Sequence, residues 1–195
     1  MNHFRTQDLT TKYLQASKLE LFLSEIEQAN RKFNLFSRKL THDDLKVLAA
    51  EALIPVELGW ITENSGPIVD IGSGWGIPAV PLLLSGLDLH LTLLERSQKK
   101  ADFLFLLLRR LQLDAEVITG EIKNIESEKD YAMVTIRGVA INEKLRRDLK
   151  SVVMPNADFI YFGPSLGPNL FESVHSVAYK IDNYPERNVF RVKII

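Results

Sequence analysis

The stretch that decides the fold is PIVDIGSGWGIPAVPLL, residues 67–83. Its apolar start runs into three glycines, Gly72, Gly74 and Gly76. Glycines here permit positive φ angles and let a ligand approach the backbone without meeting a Cβ atom. Pro78 and Pro81 suit the first turn of a helix, where backbone amides lack an intrahelical acceptor in any case. The stretch therefore predicts a strand, a ligand-binding glycine loop and a helix.

The spacing of these glycines separates two classes of cofactor. A dinucleotide fingerprint, G-x-G-x-x-G, would place its third glycine where this chain has Ile77. The spacing therefore disfavours a nicotinamide-dependent oxidoreductase, which stays open as an alternative. Asp70, two residues before the first glycine, can accept hydrogen bonds from loop amides or bind the amino group of a methionyl moiety. An ordinary tight turn would need neither three glycines nor this acid.

A second acid ends the next apolar run, DLHLTLLERSQKK at 88–100. Glu95 is expected at the end of the second strand, where its carboxylate can accept hydrogen bonds from both ribose hydroxyls of a nucleoside. The alternative is that Glu95 caps the following helix or pairs with Lys99 one turn later. Its position relative to the glycine loop favours a nucleoside ligand.

A third element is YAMVTIRGVA at 131–140, which predicts a strand ending at Ile136. Arg137 would then lie at the carboxyl edge of the sheet, where open α/β folds bind ligands. Its guanidinium can bind a cofactor carboxylate or a substrate phosphate through paired, charge-assisted hydrogen bonds. The alternative for Arg137 is an ordinary surface ion pair.

From residue 67 onward, short apolar runs alternate with amphipathic stretches of helix length, the pattern of βαβ units in a parallel sheet. Strands are predicted near 67–71, 89–94, 115–119, 131–136 and 158–162. Helices are predicted near 78–86, 98–112 and 141–152, with a weak helix within 121–126 and another beginning near 165. Two β-rich runs around DNYPERN at 182–188 predict an antiparallel hairpin at the sheet edge.

Residues 1–65 show helical periodicity without strand alternation, and the turn-forming ENSGP at 63–67 marks their end. We therefore predict an N-terminal helical extension at 1–65 and a cofactor-binding domain at 66–195. The predicted fold is α/β, with a mostly parallel seven-stranded sheet that ends in the C-terminal hairpin. This is the usual layout of class I, Rossmann-like methyltransferases.

The composition limits the partners. With 24 Lys and Arg against 25 Asp and Glu, the net charge is -1, so any affinity for nucleic acid must come from local basic clusters. The chain has no cysteine and its four histidines lack ligand spacing, so we expect no metal. Without a long apolar window or a signal-like start, we expect no membrane segment and a cytoplasmic protein. We also expect a monomer, which these features do not themselves indicate.

Four stretches carry a family resemblance: FNLFS at 33–37, VDIGSGWGIPAVPL at 69–82, LLERSQKKADFL at 93–104 and TIRGVA at 135–140. They resemble the bacterial 16S ribosomal RNA guanine-N7 methyltransferases, also called the glucose-inhibited division protein B family. The similarity runs from about Phe33 to Phe162. It implies an S-adenosylmethionine-dependent methyltransferase whose substrate is ribosomal RNA or the small ribosomal subunit.

The resemblance also implies roles for particular residues: cofactor contact from Gly72 and Ile77, ribose contact from Glu95, adenine-side contact from Ile122 and Lys123, and a role for Arg137. Arg137 is the one catalytic residue that we predict. The full predicted cofactor site is Asp70, Gly72, Ser73, Gly74, Gly76, Ile77, Glu95, Ile122, Lys123 and Arg137.

The chain departs from the family pattern on the substrate side. VLAAEA at 47–52 replaces an R-H-x-x-D-S element, and Glu51 is its only acid. GEIK at 120–123 replaces G-R-[AV]-E, and YFGP at 161–164 replaces a segment that contains lysine. Two alternatives therefore stay open: a non-catalytic adenosyl- or RNA-binding module, and a methyltransferase with a different substrate.

The expected mechanism needs no general base, because guanine N7 carries an in-plane lone pair. Catalysis would consist of holding N7 in line with the sulfonium methyl group. We expect Arg137 and basic residues flanking the cleft to position RNA phosphates, and Phe36 or Trp75 to stack on a base. For both aromatic residues, packing in the core or the loop is the alternative.

Overall fold

The computed structural model describes residues 1–33, 37, 39–125, 131–166 and 172–193. Within these ranges, eight strands form one sheet. They are β1 (Asn2–Phe4), β2 (Ile68–Ile71), β3 (Leu91–Glu95), β4 (Glu116–Thr119), β5 (Tyr131–Arg137), β6 (Val153–Phe162), β7 (Glu172–Ile181) and β8 (Arg187–Lys193). Their order across the sheet is β1-β7-β8-β6-β5-β2-β3-β4.

The direction of the strands places the candidate site. Strand β2 pairs in parallel with both β3 and β5, so the chain reverses its course across the sheet at β2. The pairs β3·β4, β5·β6 and β1·β7 are also parallel, whereas β8 runs antiparallel to β6 and β7. Ligands of such sheets bind at the carboxyl ends of the strands beside this reversal.

Helices cover both faces of the sheet, which is why the central strands are buried and mostly apolar. The helices are α1 (Thr6–Tyr13), α2 (Ala16–Phe33), α3 (His42–Glu51), α4 (Ile54–Glu57), α5 (Ala79–Leu84), α6 (Gln98–Leu111) and α7 (Glu143–Lys150), with a 3₁₀ turn at Ile122–Asn124. Every residue of β2 and β3 is buried, as parallel strands between two helical layers require. Ile68 packs in the cluster that contains α2, α3, α5 and α6, and Val69 in the cluster that contains α7.

The predicted alternation of strands and helices is confirmed. The five predicted strands correspond to β2 through β6, and the three main helices to α5, α6 and α7. The 3₁₀ turn lies in the predicted weak helix, and the predicted tail hairpin is β7 and β8. Residues 163–166 are not helical, and the rest of the helix predicted to begin near 165 falls on residues 167–171, outside the described ranges.

Strand β6 begins at Val153, five residues before the predicted start at 158. Pro155 and Asn156 read as turn formers in the sequence, and Asn156 does adopt a positive φ of 63°. The strand nevertheless continues through them, because the pairing of β5 with β6 contains an irregularity between Tyr131 and Met133 that absorbs the distortion.

Two predictions about the sheet and the N-terminus were wrong. The sheet has eight strands rather than seven, because Asn2–Phe4 forms a strand in a segment predicted to be only helical. This strand pairs with β7, with Phe4 opposite Ile181. Three residues are too few to show alternation, and the pairing partner lies near the other end of the chain. The division between 1–65 and 66–195 stays a prediction.

No helix in the part of the chain that the structure describes is long and apolar enough to span a membrane.

Candidate functional site

A cavity of about 710 Å³ opens at the carboxyl ends of β2, β3 and β5. This volume is in the range of roughly 300 to 1,000 Å³ that is typical of small-molecule sites. Seven residues of the predicted site line it: Gly72, Ser73, Gly74, Ile77, Glu95, Ile122 and Arg137. The topology therefore brings together residues that are separated by up to 65 positions in the chain.

The glycine loop explains which of its members face the cavity. Gly72 and Gly76 both have positive φ angles, of 71° and 97°. A Cβ atom on Gly76 would lie 2.8 Å from a methyl group of Val80, so this glycine is required for close packing against α5. That packing role accounts for its absence from the cavity wall. A Cβ atom on Gly72 would lie 2.8 Å from Val139, which itself lines the cavity.

Glu95 is buried at the end of β3 and is bound by backbone amides. Gly74 N–H donates to its Oε2 at 2.9 Å, and Ser97 N–H donates to its Oε1 at 2.8 Å. The carboxylate thus ties the glycine loop to Ser97, the residue that precedes α6, but it does not cap that helix. Each carboxylate oxygen has two lone pairs, so both oxygens retain the capacity to accept a second hydrogen bond.

Asp70 is buried and does not line the cavity. Its Oδ1 accepts a hydrogen bond from the Thr135 hydroxyl at 2.6 Å, so the side chain links β2 to β5. Its Oδ2 is buried and has no hydrogen-bond partner among the described residues. Burial raises the pKa of Asp70 to about 6, against the lowering effect of the hydrogen bond from Thr135. The structure therefore places Asp70 within the sheet, behind the loop that it precedes.

Arg137, the last residue of β5, lines the cavity and also makes an internal ion pair. Its Nη2 lies 2.5 Å from Oε2 of Glu51, and its guanidinium is 5.8 Å from the ring centroid of Phe162. Glu51 is only 1% exposed. The alternative of an ordinary surface pair is therefore wrong, because the partner is a core carboxylate.

The wall that faces the predicted adenine side comes from the 3₁₀ turn. Ile122 is buried and lines the cavity, whereas Lys123 does not line it and pairs with Glu121 at 3.2 Å. Asn124 closes the turn by accepting a hydrogen bond from Glu121 N–H at 2.8 Å. Of this predicted pair, only the apolar member contacts the cavity.

Several residues of the cavity wall were not assigned to the site from the sequence. Arg96 and Lys100 follow β3, and Val139 and Asn142 follow β5. Their signal was positional, because each comes soon after a strand whose carboxyl end borders the reversal in the sheet. Trp75 also lines the cavity, whereas Phe36, the other predicted stacking residue, lies outside the described part of the chain.

The charged groups of the cavity wall are mixed in sign. Lys144 is paired with Asp148 at 2.6 Å, and Glu95 is bound by amides. Arg96 and Lys100 have no ion-pair partner in the ranges that the structure covers. These two cations therefore remain available at the mouth of the cavity.

Solved structures with the same fold include methyltransferases. A crystal structure of a methyltransferase from Pyrococcus furiosus superposes with a TM-score of 0.61 at 13% identity, covering 92% of this chain and 98% of that one. A tRNA methyltransferase from Aquifex aeolicus superposes with a TM-score of 0.57 at 12% identity, covering 75% and 69%. At these identities the likeness concerns the fold, and it confirms the Rossmann-like methyltransferase architecture.

Sequence relatives narrow the family. The ribosomal RNA small subunit methyltransferase G of Mycoplasmopsis pulmonis is 27% identical over 97% of this chain and 88% of its own length. The protein of the same name from Aliarcobacter butzleri is 28% identical over 89% and 88%. The family model GidB, described as rRNA small subunit methyltransferase G, matches residues 15–163. These matches confirm the predicted S-adenosylmethionine-dependent methyltransferase activity and the ribosomal RNA substrate. The chain belongs to the GidB family of rRNA small subunit methyltransferases.

Proposed function

We propose that the cavity at the carboxyl ends of β2, β3 and β5 binds S-adenosylmethionine and that the protein methylates N7 of a guanine in small-subunit ribosomal RNA. The observation that carries the proposal is the arrangement of Gly74 and Glu95. A bare backbone turn and a buried carboxylate from the neighbouring strand lie side by side on one wall of the cavity, joined by the 2.9 Å hydrogen bond.

The residues present suit an adenosyl ligand. Both oxygens of Glu95 keep a free lone pair, as is needed to accept hydrogen bonds from two ribose hydroxyls. Gly72 and Gly74 leave backbone exposed where a side chain would occupy the space, and a Cβ atom on Gly72 would meet Val139. Ile122 supplies an apolar surface on which an adenine ring can pack.

S-adenosylmethionine supplies an electrophilic methyl group on a sulfonium centre. Guanine N7 carries an in-plane lone pair that could accept this methyl group directly, so no residue of the chain would need to remove a proton. The protein's contribution is to hold the two reactants in line at near-attack distance. Arg96 and Lys100, which line the cavity and have no ion-pair partner among the described residues, are suited to bind RNA phosphates on the approach side.

Methyl transfer to defined RNA tests this proposal. The protein is incubated with methyl-labelled S-adenosylmethionine and with small subunits, or the protein-free RNA from them, that lack the modification. We expect label at a single guanine, located by strand cleavage at the N7-methylated base. Incorporation at another atom or only into a small molecule would contradict the guanine-N7 assignment. Tight binding of S-adenosylhomocysteine without transfer to either RNA would instead support a non-catalytic binding module.

A further inference from the structure

Three distant parts of the fold meet at the Glu51 side chain, which ends α3 and is almost completely buried. Its Oε1 accepts hydrogen bonds from the Tyr179 hydroxyl of β7, at 2.5 Å, and from Nη1 of Arg187 of β8, at 2.9 Å. Its Oε2 lies 2.5 Å from Nη2 of Arg137. The N-terminal helices and the C-terminal hairpin are thereby connected to the residue that ends β5.

Glu51 is ionised at neutral pH in spite of its burial. Burial by itself raises the pKa of a carboxyl group, because the charged form loses its hydration. Here Arg137, the Tyr179 hydroxyl and Arg187 outweigh that effect and hold the pKa of Glu51 below its ordinary value. Glu51 is therefore a fixed negative charge beside Arg137.

The geometry at Arg137 is that of a guanidinium held by charge and by a ring. Glu51 approaches one side, and the ring centroid of Phe162 lies 5.8 Å away. The contact between Nη2 and Oε2 is a close charge pair rather than an aligned hydrogen bond, because neither Oε2 nor Nη1 of Arg137 has a hydrogen-bond partner among the described residues. Nη1 is buried, but the Arg137 side chain is 20% exposed and lines the cavity, so part of it faces a ligand while Glu51 fixes the position of the guanidinium.

We propose that Glu51 is a positioning residue, which holds the Arg137 guanidinium at the cavity so that it binds an anionic oxygen group of a ligand. That group is either the methionyl carboxylate of the cofactor or a phosphate of the RNA. Glu51 itself does not line the cavity, so its action is through Arg137. The ligand contact of Arg137 rests on the proposed function, whereas the restraint of Arg137 by Glu51 does not.

The restraint is measured first, in the protein without ligands. Arginine-selective NMR reports rotation about the Cζ–Nε bond, and Arg137→Lys assigns the Arg137 signal. We expect slow rotation in the wild type and faster rotation in Glu51→Gln, which keeps the size of the side chain but removes its charge. Glu51→Asp, which keeps the charge on a shorter side chain, should fall between them and supplies a second variant if Glu51→Gln folds poorly.

Asp158→Asn is the matched control. Asp158 of β6 is also a partly buried carboxylate with two cationic partners, Arg191 and Lys193 at 2.9 Å each, but it does not line the cavity at the site. Its replacement should lower the thermal stability without changing the rotation of Arg137. Unchanged rotation in Glu51→Gln and Glu51→Asp would overturn the proposal, whether or not the protein transfers methyl groups.

Measurements of ligand affinity and of methyl transfer then distinguish the cofactor carboxylate from an RNA phosphate. If Arg137 binds the cofactor carboxylate, Glu51→Gln weakens S-adenosylhomocysteine about tenfold but leaves 5′-methylthioadenosine, which lacks that carboxylate, unchanged. If it binds an RNA phosphate, the KM for the RNA rises about tenfold and cofactor affinity stays constant. Asp158→Asn should change neither quantity. Faster rotation with neither quantity altered would overturn the assignment of Arg137 to an anion, and a wild type that neither binds nor transfers would overturn the proposed function instead.

Discussion

Glu95 and Glu51 are two buried carboxylates, one on the cavity wall and one separated from it by a single side chain, and they are stabilised in different ways. Glu95 accepts hydrogen bonds from two backbone amides, that of Gly74 in the glycine loop after β2 and that of Ser97 just before α6. The hydrogen-bond donors of Glu51 are side chains 128 and 136 residues away. An acid held by the amides of a glycine loop and of its own following turn can therefore be located from sequence motifs. An acid held by side chains far away in the chain can be located only once the tertiary fold is known.

The largest effect is expected at the loop that donates to Glu95. Gly74→Val places a β-branched side chain at φ 58° on the cavity wall, where it would occupy the space proposed for the ligand. We expect S-adenosylhomocysteine to bind at least about 100-fold more weakly, a loss of about 2.7 kcal/mol, as measured by calorimetry. Gly86→Val is the control, since Gly86 has a similar φ of 80° and open space around it but lies outside the cavity.

Equal loss of affinity in Gly74→Val and Gly86→Val would show that the effect is general backbone strain. In that case the Gly74→Val result would give no support for a ligand beside Glu95.

A pH series separates carboxylates by the sign of their response. The pKa of Asp70 is raised by burial from 3.8 to about 6, so the folded protein binds more protons than the unfolded chain across that window. The contribution of Asp70 to the free energy of unfolding therefore falls as the pH rises through this window. Relative to the wild type, Asp70→Asn should gain roughly 2 kcal/mol in the free energy of unfolding between pH 4 and 7.

Glu51 should behave in the opposite sense. Burial is outweighed by Arg137, Tyr179 and Arg187, so its pKa lies below 4.5, and its contribution to stability is present above that pH. It is lost as the pH falls through the lowered pKa. Urea denaturation from pH 3 to 7 gives the free energy of unfolding of the wild type, Asp70→Asn and Glu51→Gln. The difference between each variant and the wild type is then compared across this pH range. Differences that do not vary with pH would contradict these assignments.

The smallest effect is expected for Glu95→Gln. The amide keeps one neutral acceptor oxygen, and its NH2 group replaces the other oxygen and faces the N–H donor of Gly74 or Ser97. We therefore expect S-adenosylhomocysteine to bind about tenfold more weakly. An analogue of this ligand that lacks the ribose 2′-hydroxyl should lose less than about threefold on the same substitution, because one of the affected hydrogen bonds is already missing. A full tenfold loss with this analogue would argue against a ribose contact.

Local patterns predicted the centre of the fold well. The strands and helices from β2 to β6 follow from apolar periodicity and from the glycine and proline positions, and these signals act within a few residues. Seven residues of the predicted site line one cavity, because each of them lies at or soon after the carboxyl end of a parallel strand.

The remaining features depend on contacts between distant segments. Strand β1 has three residues and exists because Phe4 pairs opposite Ile181, which no local pattern indicates. Gly76 was assigned to the ligand, but its conformation is explained by packing against Val80. Glu51 was noted only as the one acid in the stretch VLAAEA at 47–52, and its partners are apparent only once β5, β7 and β8 are assembled.

A crystal structure of the protein bound to S-adenosylhomocysteine would test the central claim most directly. The account predicts that the ligand lies in the cavity beside Gly72 and Gly74, with both ribose hydroxyls within hydrogen-bond distance of the Glu95 carboxylate. Density for the ligand at another surface, or a cavity in which the protein's own side chains displace it, would contradict the account.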